Sequence, residues 1–138
     1  MRKTKRVSLL LAFVLLAGGS NLVYAAEDSK VLPAAIRAVV QGEFPDARIT
    51  EIDDGEFDGT DVYEIEGKSA AGMEFELEIG KDGTLYQKDE KVRLKDIPSA
   101  VLAVIKKQLG DVRPDDFKRM TEYGKVYYEV KAENFDGE

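Results

Sequence analysis

The 138-residue chain contains no cysteine, no histidine and no tryptophan. Without cysteine there are no thiolate nucleophiles, no cysteine metal sites, no lipid-anchored lipoprotein and no disulfide staples, so the fold must hold by packing alone. Without histidine there is no imidazole ligation of zinc or haem, and no Ser-His-Asp relay. Basic residues are in the minority, 20 against 27 acidic. The longest apolar run, "VSLLLAFVLLAGG", falls short of the roughly 20 residues that a lasting transmembrane helix needs. For catalysis only a carboxylate pair, a lysine or a tyrosine is left, and for cofactors nothing in the chain suggests one.

The apolar run has a recognisable setting. Arg2, Lys3, Lys5 and Arg6 precede it, and "VYA" at 23–25 follows. A basic start, a short apolar stretch and a small-residue site form a secretory signal, predicting cleavage after Ala25 and a periplasmic or secreted protein. With no Arg-Arg pair, general export is expected rather than the twin-arginine route. The signal holds four of the 20 basic residues and none of the acidic ones, leaving 16 against 27, a formal charge of −11. Such a chain is repelled by nucleic acid and anionic lipid. It suits a soluble envelope protein without stable membrane insertion, or one with a basic partner.

The remainder contains one pattern twice. "LPAAIRAVVQGEFPDARI" from Leu32 aligns without a gap on "IPSAVLAVIKKQLGDVRP" from Ile97, at an offset of 65. At the same offset Gly59 meets Gly124, and "YEI" at 63–65 meets "YEV" at 128–130. Each copy opens with a helix that has a proline in its first turn. Leu32, Ile36, Val39, Val40 and Phe44 form one apolar stripe; Ile97, Val101, Val104, Ile105 and Leu109 form the other. Pro45 ends the first helix and Gly110 caps the second.

Strands follow. "RITEID" (48–53), "VYEIE" (62–66), the strictly alternating "MEFELEI" (73–79) and "TLYQ" after an Asp-Gly turn at 82–83 make a meander. Strands near 115–122 and 125–132 complete the second copy, which ends where its third strand should begin. The expected architecture is α+β: tandem helix-plus-antiparallel-meander units, α-β-β-β-β (26–92) and then α-β-β (93–138, incomplete by comparison), with helices packed on one face of the sheet.

"DDGEFDGTD" at 53–61 invites a chemical reading. Counted from Gly59, Asp54, Glu56 and Asp58 imitate the start of a calcium loop, but its twelfth position, where a bidentate glutamate belongs, is Ile65. The second copy keeps the glycine in "RMTEYGKV" and drops almost all the acid. The fold therefore needs the turn, and the segment is expected to be a hairpin loop with no metal site. Phe57 is its only apolar residue, too little to split the pKa values of a catalytic carboxylate pair.

An exported chain whose two units open Leu-Pro-x-Ala-Ile (32–36) and Ile-Pro-x-Ala-Val (97–101) and run on to Tyr-Glu-Ile or Tyr-Glu-Val resembles the PepSY-like family, also described as beta-lactamase-inhibitor-like. The resemblance implies an α+β fold, periplasmic residence and a non-catalytic role in binding or inhibiting another protein, with no catalytic residues to carry over.

Alternation supplies a candidate surface. Glu64, Glu66, Glu74, Glu76 and Glu78 should all face away from the helix, as like charges on neighbouring strands. Three readings compete: a face for a protein or peptide with a basic surface, a weak cation binder, and a structural accessory domain whose acidic face merely solvates it. A binding face would cluster carboxylates with exposed aromatics. A cation buffer would converge its oxygens on one point. A structural domain would spread its charge evenly. In the second unit the equivalent outward places hold Tyr127, Glu129 and Lys131, a mixed set.

Overall fold

Pro33 and Pro98 each stand one residue ahead of a helix, just outside the first turn, with their carbonyls accepting the first helical hydrogen bonds from Arg37 and Leu102 at 3.0 Å. These helices are α1 (Ala34–Glu43) and α2 (Ser99–Leu109). The computed structural model describes residues 9–11, 23–24, 31–110 and 114–132. The expected signal, 1–25, lies outside the described residues apart from two short backbone pairings. Leu9–Leu11 (β1) runs antiparallel to 126–128, and Val23–Tyr24 (β2) runs parallel to 48–49. Among the described residues no helix is long and apolar enough to cross a membrane.

The longer strands are β3 (Arg48–Phe57), β4 (Thr60–Lys68), β5 (Glu74–Gly80), β6 (Leu85–Lys91), β7 (Pro114–Glu122) and β8 (Lys125–Ala132). The chain forms two compact units, one from 14 to 90 and the other from 91 onward together with the segment that carries β1. In the first, β3 to β6 form an antiparallel meander. The apolar stripe of α1 packs on one face of it, so Leu32, Ile36, Val40 and Phe44 share a core with Ile49, Ile65, Phe75, Leu77 and Ile79. In the second, α2 packs on the β7–β8 hairpin through Val101, Ile105 and Leu109 against Phe117, Val126, Tyr128 and Val130. Leu102, not Val104, is the partly buried α2 residue packed against this core. Gly110 closes α2 with φ 60°, its N–H bonded to the carbonyl of Lys106 at 2.9 Å.

The acidic stretch 53–61 is the expected hairpin, but almost all of it is strand. Strand β3 continues to Phe57, four residues beyond its expected end, and the connection is the two-residue turn Asp58–Gly59, with φ 48° and 79°. Both angles lie in the left-handed region that a type I′ hairpin requires. Nine backbone pairings to β4 override the poor strand propensity of Asp and Gly. Tyr123 and Gly124 form the corresponding turn of β7–β8, with φ 46° and 75°.

Candidate binding face

On β4 and β5 the side chains at 65, 77 and 79 point into the core with α1, so 64, 66, 76 and 78 point the other way. The register then decides which of these carboxylates meet. Glu64 lies opposite Glu78, and Glu66 opposite Glu76. The neighbouring strands lengthen both rows. Glu51, Glu66, Glu76 and Asp89 cross β3 to β6 in one row; Asp53, Glu64, Glu78 and Gln87 form the next. Glu74 is opposed instead by Lys68, so that part of the expected like-charge ladder is an opposite-charge pair.

Neighbours in these rows stand about 4.5–5.5 Å apart at Cβ, and like charges so placed repel. Glu51 begins the first row and also has Asp53 two residues along its own strand. Its carboxyl is held above the usual carboxylate range by a hydrogen bond with Asp53, by the charge of Asp53, and by the charge of Glu66. At the other end of that row Asp89 is buried, and its Oδ1 accepts from Gln87 Nε2 at 3.1 Å.

Two stability predictions follow directly. Glu66→Gln combined with Glu78→Gln removes one charge from each opposed pair, and is expected to stabilise the fold by about 0.2–1 kcal/mol per pair; a urea midpoint that falls would contradict the rows. For Glu51, the folded protein binds more protons than the unfolded chain just above the ordinary carboxylate range, because the folded pKa is raised. Stability therefore declines as pH rises through that window, and the penalty is complete at neutral pH. Glu51→Gln should raise the neutral-pH melting temperature and leave it unchanged at pH values where Glu51 is protonated in both states. Asp82 works in the opposite sense: the Thr84 N–H donates to its carboxylate at 2.9 Å and lowers its pKa.

The face also carries aromatic rings. Phe57 and Tyr86 stack with centroids 5.7 Å apart and planes 25° from parallel. Tyr86 sits at an irregularity in the β5–β6 ladder: Glu78 pairs with Gln87 and Ile79 with Leu85, so Tyr86 is the extra residue between them. Such a bulge re-aims side chains. Here Leu85 stays on the core while Gln87 joins the acid row.

The helix-side face is different. Lys88 Nζ bonds Glu43 of α1 at 2.6 Å, and Lys81 binds Asp54 while lying 3.4 Å from the centre of the Tyr63 ring. This also fixes the fate of the calcium-like positions. Asp54 is engaged by Lys81, Glu56 is two residues further along an extended strand, and Asp58 is in the turn. Among the described residues no group of three or more acidic side chains could hold a metal ion. In the second unit, Lys118 opposes Glu129, Met120 opposes Tyr127, and Lys131 approaches Asp116 to 3.8 Å, a face of mixed character.

Of the five residues expected to mark the surface, Glu64, Glu66, Glu76 and Glu78 are brought together, and Glu74 stands beside them opposite a lysine. Glu51, Asp53, Asp89, Phe57 and Tyr86 were not among them. The first three needed the strand register, and the rings needed the full extent of β3 and the bulge in β6.

No family model and no curated protein sequence matches the chain. Among solved structures, it is similar to a BLIP-like protein from Bacteroides fragilis NCTC 9343, with 18% identity, a TM-score of 0.55, and coverage of 78% of this chain and 77% of that one. At this identity the likeness is one of fold: α+β, with six antiparallel strands and two helices, as in BLIP-like proteins.

Proposed function

We propose that this chain is an exported, non-catalytic protein-binding module of PepSY-like or inhibitor-like character, and that its partner presents a basic surface to the outer face of the first unit. The observation that carries this reading is the coincidence, on one sheet face, of two carboxylate rows with a half-exposed aromatic pair. Repulsion between opposed carboxylates of the rows falls further when a cationic surface arrives. The BLIP-like fold neighbour supports an inhibitor-like role. Export with cleavage after Ala25, and two tandem units meeting near residue 92, belong to the same proposal. The cation-binding alternative would need converging oxygens, whereas these rows are spread across four strands. A purely structural domain would spread its charge evenly, whereas here the carboxylates gather on one face.

The test is capture from envelope extract by the tagged chain expressed with its own leader. The wild type is expected to retain a partner that the Glu66→Gln/Glu78→Gln variant loses, and that salt near 1 M releases, since screening then acts within about 3 Å. If the variant retains the same proteins as firmly, the acidic face is only a solvated surface.

A further inference from the structure

Strand β8 pairs with β7 along one edge, and its other edge is where the leader lies. Tyr123 and Gly124 make a two-residue turn with both φ angles positive, so the flanking residues Glu122 and Lys125 exchange both of their backbone hydrogen bonds. The pattern then alternates: the backbone groups of Tyr127 and Glu129 turn to β7, and those of Val126, Tyr128 and Val130 turn outward. Strand β1 lies on this outward edge, with Leu10 opposite Tyr127 at the middle of its pairings. Among the described residues no other strand lies there. Residues 9–11 belong to the segment that cleavage after Ala25 removes, so export uncovers the edge at 126–128.

An uncovered strand edge is a template for another strand. The order of residues along β8 says which strand fits. Laid antiparallel to itself about Tyr127, β8 sets Lys125 opposite Glu129 of a second copy, and Glu129 opposite that copy's Lys125. Tyr127 meets Tyr127 on the axis, and Val126 meets Tyr128, the two residues whose backbone groups turn outward. Opposite charges and aromatic pairs so placed are favourable across antiparallel strands. The pairing of β8 with β7 is regular from Lys125 to Lys131, so the edge is straight. The edge of β3 is built differently. Beyond 48–49, where β2 lies, it has an irregularity at Thr50 and then Glu51, Asp53, Asp54 and Glu56. A second β3 would bring acid against acid, and a bulge with charges is a device that keeps edges from pairing.

We propose that removal of the leader frees the β8 edge to pair with β8 of a second copy, antiparallel about Tyr127, in a two-fold dimer. The proposal takes leader cleavage from the reading above and is independent of the acidic face. A register about Val130 would also oppose Glu129 and Lys131. However, Lys131 already approaches Asp116 of its own hairpin at 3.8 Å, and Tyr127 would run past the end of β8.

The test uses the chain exported with its own leader, its mass establishing the cleavage. Sedimentation is measured at about 0.15 M salt, where a screening length of about 8 Å limits repulsion between two acidic chains. The wild type is expected to show a monomer–dimer equilibrium with Kd between about 1 μM and 1 mM, since only residues 125–129 of each strand overlap. Lys125→Glu sets acid against acid at both ends of the contact, and Glu129→Lys sets base against base. Each variant alone should dimerise at least about tenfold more weakly. Mixed, the two variants place opposite charges at both ends, and a heterodimer should form with near wild-type affinity. Within one chain the changed residues face Glu122 and Lys118 whatever the partner, so mixing cannot repair a damaged fold. A readout that needs no variant is amide exchange: the outward N–H groups of Val126 and Tyr128 should exchange more slowly as wild-type concentration rises through Kd. A wild type still monomeric at about 1 mM, single variants that dimerise as the wild type does, or exchange at 126 and 128 that ignores concentration would each overturn the dimer. So would a mixture of folded variants that stays monomeric, or an exported chain whose mass still includes residues 1–25, because β1 would keep the edge. Partner capture by the acidic face is read separately and stands or falls on its own.

Discussion

Phe75→Ala is expected to destabilise the first unit by about 3–5 kcal/mol, the range for deleting a buried phenylalanine. Phe75 is 4% exposed and stacks on Phe44, just past the end of α1, with ring centroids 4.0 Å apart and planes 12° from parallel. It joins helix to sheet where the strand neighbour offers nothing else. Across the ladder lies Gly67, and the Phe75 ring reaches to 2.5 Å from where its Cβ would stand. Truncation thus opens a void with a glycine on one side, which has no side chain to swing into it. Poor collapse puts the cost at the upper end, where cavity and transfer contributions add. Against a total stability of about 5–15 kcal/mol, this should lower the urea midpoint sharply. A loss under about 1 kcal/mol would show that Phe75 does not couple α1 to the sheet. Gly67→Ala tests the same geometry from the other side. Its Cβ would come within 2.6 Å of the Arg48 carbonyl, a backbone atom that cannot turn away, so overpacking should cost about 1–3 kcal/mol.

Phe75 illustrates what was legible in the sequence. Its inward position follows from strict alternation along 73–79, and the two helical stripes follow from a 3.6-residue period. Both patterns arise because one face of each element must be buried, so they are written locally. The α+β class was legible for the same reason. What could not be read is what depends on pairing. Strand β3 extends through Asp54-Gly55-Glu56, which has little strand propensity, because β4 supplies partners for its backbone. Register alone sets Glu66 against Glu76 but Glu74 against Lys68. A single extra residue in β6 puts Tyr86 beside Phe57 and moves Gln87 into the acid row. A one-residue change in register reverses the faces of everything beyond it, so no local pattern could have assembled this surface. Four of its acidic residues were visible as an alternating set. The aromatic pair, from strands that flank β4 and β5, was not.

The second unit should be the more fragile, and Ile105→Ala is expected to expose this. Its core is one helix on the β7–β8 hairpin, which the three-residue β1 extends along β8, and so small a sheet is at best marginally stable in water without a packed face. The hairpin therefore depends on α2. Ile105 is 4% exposed at the centre of the buried α2 stripe, one turn from Val101 and one from Leu109. Its truncation should cost about 2–5 kcal/mol. Neither end of the stripe can close the gap, since Val101 already packs at 0% exposure and Leu109 precedes the Gly110 cap. Because helix and hairpin bury the same side chains, their protection should fall together: amide exchange is expected to accelerate both in α2 and at Val126, Tyr128 and Val130 of β8. Leu102→Ala, at a residue only partly buried against the same core, is the control and should cost less than half as much. If exchange in β8 is unchanged while α2 frays, the hairpin is held by something other than the helix, and the shared core is not what stabilises this unit.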